Sequence, residues 1–349
     1  MDGSSGIIMG DLKYLRLPIT TNIQPGMQVL VITDSAHDPR VWQVIMSTIS
    51  EIGAEGTLAL FDPRPADYFD PPRAVCEAML KADVNILLAS TGMLHAPANF
   101  AAMRAGVPVI CMDGGMTLEM FQSGAVTEDQ RQMAVRQHYV GTKIFGVDAK
   151  MCRVTSKHGT DFSYSVENRI FIPELPGEDF VPYKINYMTR NKKFPRPRFL
   201  YPNGELNIPP VEKSGNGKLV IDLSMHQFGR LKSHIELTVK DGRITDIDGG
   251  PEAWTLRRYL ETFGDENARV CPAEASVGIN AKAMVRGVQR EDKNILGSMH
   301  FGIGTNIDVG GTIHSNIHMD GVILEPTLYV DGEMRIENGK FLRNVEGPD

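Results

Sequence analysis

MQVLVITD at residues 27–34 is followed by GTLALFD at 56–62, VNILLAS at 84–90 and PVICMD at 108–113. Each run is short, rich in Val, Ile and Leu, and carries no charge before its last residue, the pattern of a strand buried on both faces of a parallel sheet. Helical spacing fills the gaps between them. Asp38-Pro39 offers an N-cap and a first-turn proline, and Val41, Ile45, Ile49 and Ile52 recur along one helical stripe. Thr127 and Gln130 form a capping box that predicts a second helix running toward His138 and Tyr139. This part reads as an α/β domain, a three-layer sandwich around a parallel sheet, assigned to residues 1–165.

Beyond it the texture changes. Pro-rich connections (FIPELPGEDFVPY, 171–183; KKFPRPRFLYPNG, 192–204) give way to alternating strands. HIELTVKDGRITDIDGG (234–250) predicts a hairpin turning on Asp241-Gly242, and LYVDGEMRIENGKFL (328–342) repeats the device at Asp331-Gly332. One amphipathic helix, EAWTLRRYLETFG (252–264), carries Trp254, Leu256, Tyr259, Leu260 and Phe263 as its apolar side. Residues 166–349 are therefore expected to form a β-rich α+β domain.

A chain of 349 residues is long enough for two cores, and 42% hydrophobic with 23% charged residues is ordinary globular usage. The formal charge of −7 and a pI near 5.8, without a long basic run, argue against a nucleic-acid partner. Four scattered cysteines, Cys76, Cys111, Cys152 and Cys271, show neither zinc-ribbon spacing nor the density of a secreted scaffold, and read as reduced and mostly buried. The opening MDGSSGIIMGDLKYLRLP lacks a basic start followed by an apolar stretch, and no later stretch approaches a membrane span, so a cytoplasmic location is expected.

Chemistry concentrates in the second half. In GTIHSNIHMDGVILEP (311–326), an extended conformation would put His314, Asn316, His318 and Asp320 on one face. His318 and Asp320 then offer an imidazole nitrogen and a carboxylate oxygen to one ion. ILGSMHFGIGTN (295–306) sets His300 in a Gly-rich run, and CPAEASVGIN (271–280) sets Glu274 among small and apolar residues. A carboxylate in such surroundings costs several kcal/mol unless it is paired or coordinated, roughly, so a ligand role explains it. His314, Asn306 and Asn280 are read as groups that orient ligands or substrate. DGGM at 113–116 reads as a tight turn, and His158, Asp161 and His37 as solvated surface residues.

These segments resemble the aminopeptidase T and aminopeptidase S family of metallopeptidases. YPNGELNIPPVEKSGNGKLVID (201–222) is similar to the segment that carries that family's first ligand glutamate, which falls on Glu205. AEASVGIN matches its second at Glu274, SMHFGIG its histidine at His300, and the final His-x-Asp falls on His318 and Asp320. The resemblance implies a clamshell of an α/β domain and a β-rich domain, usually a homodimer. It also implies two divalent ions, zinc first with manganese, cobalt or iron as alternatives, and hydrolysis of a small amide or peptide-like substrate in which Glu205 and Glu274 take part. Where those peptidases carry a tyrosine shortly after the histidine, this chain reads FGIGTNIDVGG (301–311).

STGMLHAPANF (90–100) and SKHGTDFSYSV (156–166) are similar to a sister group, the 2,5-dihydroxypyridine 5,6-dioxygenases, which open an aromatic ring with one non-haem iron. That resemblance implies a base at His95 and iron held by His318 and Asp320, with His300 completing a facial triad. The dioxygenase pattern has histidine at the position of Glu274, serine at that of Gly302 and no glutamate at that of Glu205.

Overall fold

The computed structural model describes residues 12–146, 148–169, 172–173, 181–186 and 197–346. The chain divides into two compact units: residues 1–64, 70–127 and 181–201 in one, 65–69, 128–180 and 202–349 in the other. The single boundary expected near 165 is replaced by several crossings. Residues 128–165 belong to the β-rich unit, because the strands Met151–Thr155 and Asp161–Ser165 pair there with Thr327–Val330 and Asn216–Ile221. Their alternating buried residues Cys152, Val154, Phe162 and Tyr164 join that unit's core. The clearest composition change, the Pro-rich stretch 171–183, lies largely outside the described residues.

In the first unit a five-stranded parallel sheet runs in the order Glu55–Phe61, Gln28–Asp34, Val84–Leu87, Val109–Cys111, Arg198–Leu200. Leu30, Ile32, Leu87, Val109 and Cys111 pack with Met79, Ala102 and Met103 on one face. Their alternates Val29, Val31, Ile86 and Ile110 are equally buried, as strands covered on both faces must be. The helix Pro39–Ile52 forms as expected, with the Asp38 carboxylate accepting from the Arg40 amide and Gly53, at φ 83°, ending it. The helix Gln130–Tyr139, which lies in the other unit, starts from a different cap. Asp129 accepts from the amides of Arg131 and Gln132, while the Thr127 hydroxyl turns back to the Gly124 carbonyl at 2.8 Å.

The second unit packs two antiparallel sheets. One, of eight strands, contains both expected hairpins, with Asp241-Gly242 and Asp331-Gly332 at positive φ. The other, of seven strands, runs in the order Gly229–Arg230, Ser224–Met225, His318–Ile323, Met299–Gly304, Glu274–Gly278, Glu205–Ile208, Ile172–Pro173. Phe301 joins the two layers, meeting Phe162 and Tyr164 edge-on at 5.6 and 5.8 Å. The helix Pro251–Phe263 buries Ala253, Leu256, Tyr259 and Leu260. Trp254 is 62% exposed instead of joining that side, since two residues carry it roughly 200° around the helix from Leu256. No helix among the described residues is long and apolar enough to cross a membrane. All four cysteines are free, and all but the half-buried Cys76 are buried.

Candidate metal centre

The seven-stranded sheet sorts its residues by register. Glu274 lies opposite Gly302, and Gly302 opposite Asp320. Ser276 lies opposite His300, Gly304 opposite His318, and Gly278 opposite Glu205. Cross-strand partners share a face, so the five predicted ligands project from one side of four neighbouring strands. Their alternates, Leu206, Ala275, Val277, Met299, Phe301, Ile303 and Met319, face the core. A plain period-two pattern thus builds a polar face over an apolar one, and a one-residue slip of any strand would scatter the site.

The ligand atoms converge in two groups, Glu205–Glu274–His300 and Glu274–His318–Asp320, each within 4.8 Å. Glu274 belongs to both. Its Oε1 lies 3.2 Å from His300 Nε2 and its Oε2 3.3 Å from His318 Nε2. Glu205 Oε2 is 3.5 Å from His300 Nε2, and Asp320 Oδ1 is 3.1 Å from His318 Nε2. Asn207 donates to Glu205 at 3.2 Å, Ser276 to Glu274 at 2.9 Å, and Gln289 to Asp320 at 2.6 Å. His318 Nδ1 lies 2.9 Å from the Thr305 carbonyl, which accepts its proton and leaves Nε2 to face the carboxylates.

Lys293 completes the cluster, with Nζ 2.8 Å from Glu205 Oε2 and 3.7 Å from Asp320 Oδ2. Gly278 makes this possible, because a Cβ there would fall 2.0 Å from the Ile295 carbonyl of the loop that delivers Lys293. Burial disfavours the Lys293 ammonium, but Glu205, Asp320 and Glu274 outweigh it and hold the pKa above its ordinary value. Burial likewise opposes charge on Glu274, yet hydrogen bonds from His300 and His318 keep its pKa below the usual carboxylate range. Both imidazoles are held above theirs, the surrounding carboxylates overcoming burial. With neutral imidazoles, three carboxylates against one ammonium leave a net negative charge at residues no more than 8% exposed. Such a charge is not left bare in a protein interior: protons on the histidines or divalent cations must offset it.

The residues fit metal. The donors are oxygen and imidazole nitrogen, and Gly302 leaves the space among them open. A Cβ at Gly302 would meet Glu274 Cβ at 2.9 Å, and Asp320 Oδ1 and His318 Cε1 at 3.2 Å. Gly302→Ala is accordingly expected to stay folded while weakening metal affinity at least about tenfold in chelator competition. A second expectation follows from the raised imidazoles. Protons compete with a cation for Nε2 below the shifted pKa, so metal affinity should still be climbing with pH above about 6.5, with proton release on binding measurable by calorimetry in buffers of different ionisation enthalpy.

The orienting residues differ from those expected. His314 is exposed and outside the strand, which begins at His318, and its carbonyl accepts from Asn267. Asn306 is buried but ties the preceding loop, donating to Glu212 at 3.1 Å and accepting from Ile313 at 2.7 Å. Asn280 shapes a turn, donating to the Asn203 carbonyl and accepting from Lys282 and Ala283. His95 belongs to the parallel-sheet unit, edge-on to Phe100 at 6.1 Å, and is not in the cluster. His37 is 5% exposed rather than solvated, whereas Asp161 is exposed and paired with Arg153. Lys293, Gln289, Ser276 and Asn207 carried no signal of their own; the register that faces Ser276 to His300 and to Asn207 is what reveals two of them.

A family model described as "NicX: 2,5-dihydroxypyridine 5,6-dioxygenase" matches residues 16–343. The 2,5-dihydroxypyridine 5,6-dioxygenase of Pseudomonas putida KT2440 is 28% identical over 158 residues, which make up 42% of this chain and 45% of that protein. Among solved structures, the 2,5-dihydroxypyridine dioxygenase from the same organism aligns with TM-score 0.67 at 18% identity, covering 97% of this chain and 98% of the other. Wild-type AmpT from Thermus thermophilus aligns with TM-score 0.60 at 15% identity, covering 95% and 99%. At these identities the structural likenesses establish the fold: an α/β unit with a parallel sheet and a β-rich unit.

Proposed function

Because this chain belongs to the 2,5-dihydroxypyridine 5,6-dioxygenase family, we propose that it is a metal-dependent enzyme, and that its own donor set directs it to hydrolysis of a C–N bond in a small amide or peptide-like substrate. The observation that carries this reading is the placement of Glu274, whose two oxygens each face a different imidazole, as a carboxylate shared by two ions does. Glu205, Glu274 and His300 would hold one divalent ion and Glu274, His318 and Asp320 the other, zinc or another first-row metal, supplying Lewis-acid activation of water and of a substrate carbonyl.

The chain's own groups set up that chemistry. Ser276 and Asn207 fix the carboxylates of Glu274 and Glu205, the Thr305 carbonyl fixes the His318 ring, and Gln289 fixes Asp320. Lys293 keeps a proton and a positive charge beside Glu205, which lowers the charge that bound cations must offset.

A second reading, oxidative opening of a hydroxylated pyridine-type ring on one iron, is favoured by the family and by the name of the Pseudomonas putida relative. It would use His300, His318 and Asp320. Here, however, the imidazole of His300 groups with Glu205 and Glu274, and that of His318 with Glu274 and Asp320. The two readings part under anaerobic conditions. Zinc-loaded protein should cleave members of an aminoacyl-anilide and amide panel without oxygen. Oxygen uptake by ferrous-loaded protein with 2,5-dihydroxypyridine, and no turnover on the panel, would reverse the order of the two.

A further inference from the structure

The helix Gln130–Tyr139 buries Gln130, Met133, Arg136 and Gln137, so its inner face is largely polar. Burying a polar side chain costs free energy unless it is hydrogen-bonded, and a docking made of hydrogen bonds is directional where an apolar one is not. Each inward residue reaches one of the two chain segments that frame the Glu205 end of the seven-stranded sheet. Gln130 Oε1 accepts from Asn203 at 3.0 Å, and Met133 Sδ lies 3.1 Å from where a Cβ would stand on Gly204. Arg136 Nη1 donates to the Ile279 carbonyl at 2.7 Å, one residue past the strand Glu274–Gly278. Gln137 Nε2 donates to the Glu205 carbonyl at 2.8 Å, and Gln137 is itself fully shielded from solvent.

That last bond stands in for a strand. Glu205–Ile208 lies between Glu274–Gly278 and Ile172–Pro173, and on the second side the pairs among the described residues are Ile172 with Asn207 and Pro173 with Leu206. Glu205 lies one residue beyond them, and a buried backbone carbonyl needs a donor. Gln137 supplies it from a helix, so the backbone that carries the Glu205 carboxylate takes its position from that helix.

The helix in turn is clamped by Glu346, 210 residues away in sequence from Arg136. The Glu346 carboxylate accepts from Arg136 Nη2 with both oxygens at 2.8 Å and from Gln132 Nε2 at 2.8 Å, and its backbone carbonyl accepts from Gln132 Nε2 at 3.0 Å. Glu128 adds a second carboxylate 3.4 Å from Arg136 Nη1. A planar guanidinium forked onto a carboxylate fixes geometry as well as charge.

We propose that Gln137 is a positioning residue for the cation held by Glu205, Glu274 and His300, and that Glu346 clamps the helix that carries it. This rests on the two-ion reading above. Glu205 belongs to that donor group, whereas the group of Glu274, His318 and Asp320 takes no donor from it, so the effect falls on one ion.

The test is titration of the metal-free protein with cobalt(II), with stoichiometry and affinities read by calorimetry against a competing chelator. The wild type should bind two ions. Gln137→Leu, of similar size but without the donor, should bind one of them about tenfold more weakly and the other as before. Glu205→Ala should bind a single ion, and adding Gln137→Leu to it should change nothing further, because a residue that acts through Glu205 has no effect in its absence. Glu346→Ala, at a partly exposed side chain, should weaken the same ion about threefold. Equal weakening of both ions, unchanged affinities in Gln137→Leu, or a loss that persists in the Glu205→Ala background each overturns the proposal. Unchanged affinities in Glu346→Ala overturn it too, whether or not Gln137→Leu folds. Wild-type protein that binds one cobalt ion or none contradicts the two-ion reading itself, a result distinct from all of these.

Discussion

If two ions share Glu274 as proposed, Glu274→Ala is expected to abolish metal binding and turnover, with metal content by mass spectrometry falling from two per chain in the wild type to near zero. No other ligand has so large a predicted effect, because among the described residues Glu274 alone belongs to both donor groups. Without it His300 retains Glu205 as its carboxylate neighbour and His318 retains Asp320, one carboxylate each. Three-donor sites reduced to two, and no longer linked, lose most of their affinity. Glu274→Gln preserves volume but not charge, and a neutral amide cannot act as an anionic bridge, so its metal content should also collapse. A variant that kept both ions would show that the shared carboxylate is not the keystone of the site.

The second large effect is on stability. Phe301→Ala should destabilise the chain by about 3–5 kcal/mol, read as a lowered urea midpoint with an unchanged slope. Phe301 is 1% exposed and is the aromatic contact from the seven-stranded sheet to Phe162 and Tyr164 of the eight-stranded one. Its removal opens a cavity between two layers that cannot both collapse into it. Since Phe301 lies between His300 and Gly302 on the opposite face of the same strand, metal affinity should fall as well, but far less than in Glu274→Ala. A loss below about 1 kcal/mol would mean that the core relaxes around the gap.

Which features were legible in the sequence follows from where their signal resides. The parallel strands at 28–34, 84–87 and 109–111 announce themselves because burial on both faces demands unbroken apolar runs. Glu274 and His300 stand out because charged or polar groups seldom occur amid Ala, Val and Gly without a partner. His314 lies off the strand although the alternation in GTIHSNIHMD continues upstream to it, because the chain before His318 is held as a loop by Asn306 and Glu212. Lys293 and Gln289 were hidden for the opposite reason. VQREDKN has the composition of a solvated helix, yet residues 289–293 are at most 8% exposed. Their burial is imposed by neighbours distant in the chain, such as Glu205 and Asp320, and no local pattern encodes it.

The most direct test of the account is anomalous diffraction from crystals of the zinc-loaded protein. Two peaks per chain are predicted, one on each side of the Glu274 carboxylate, the first also held by Glu205 and His300 and the second by His318 and Asp320. A single peak bound by His300, His318 and Asp320, with Glu205 still paired to Lys293, would contradict it.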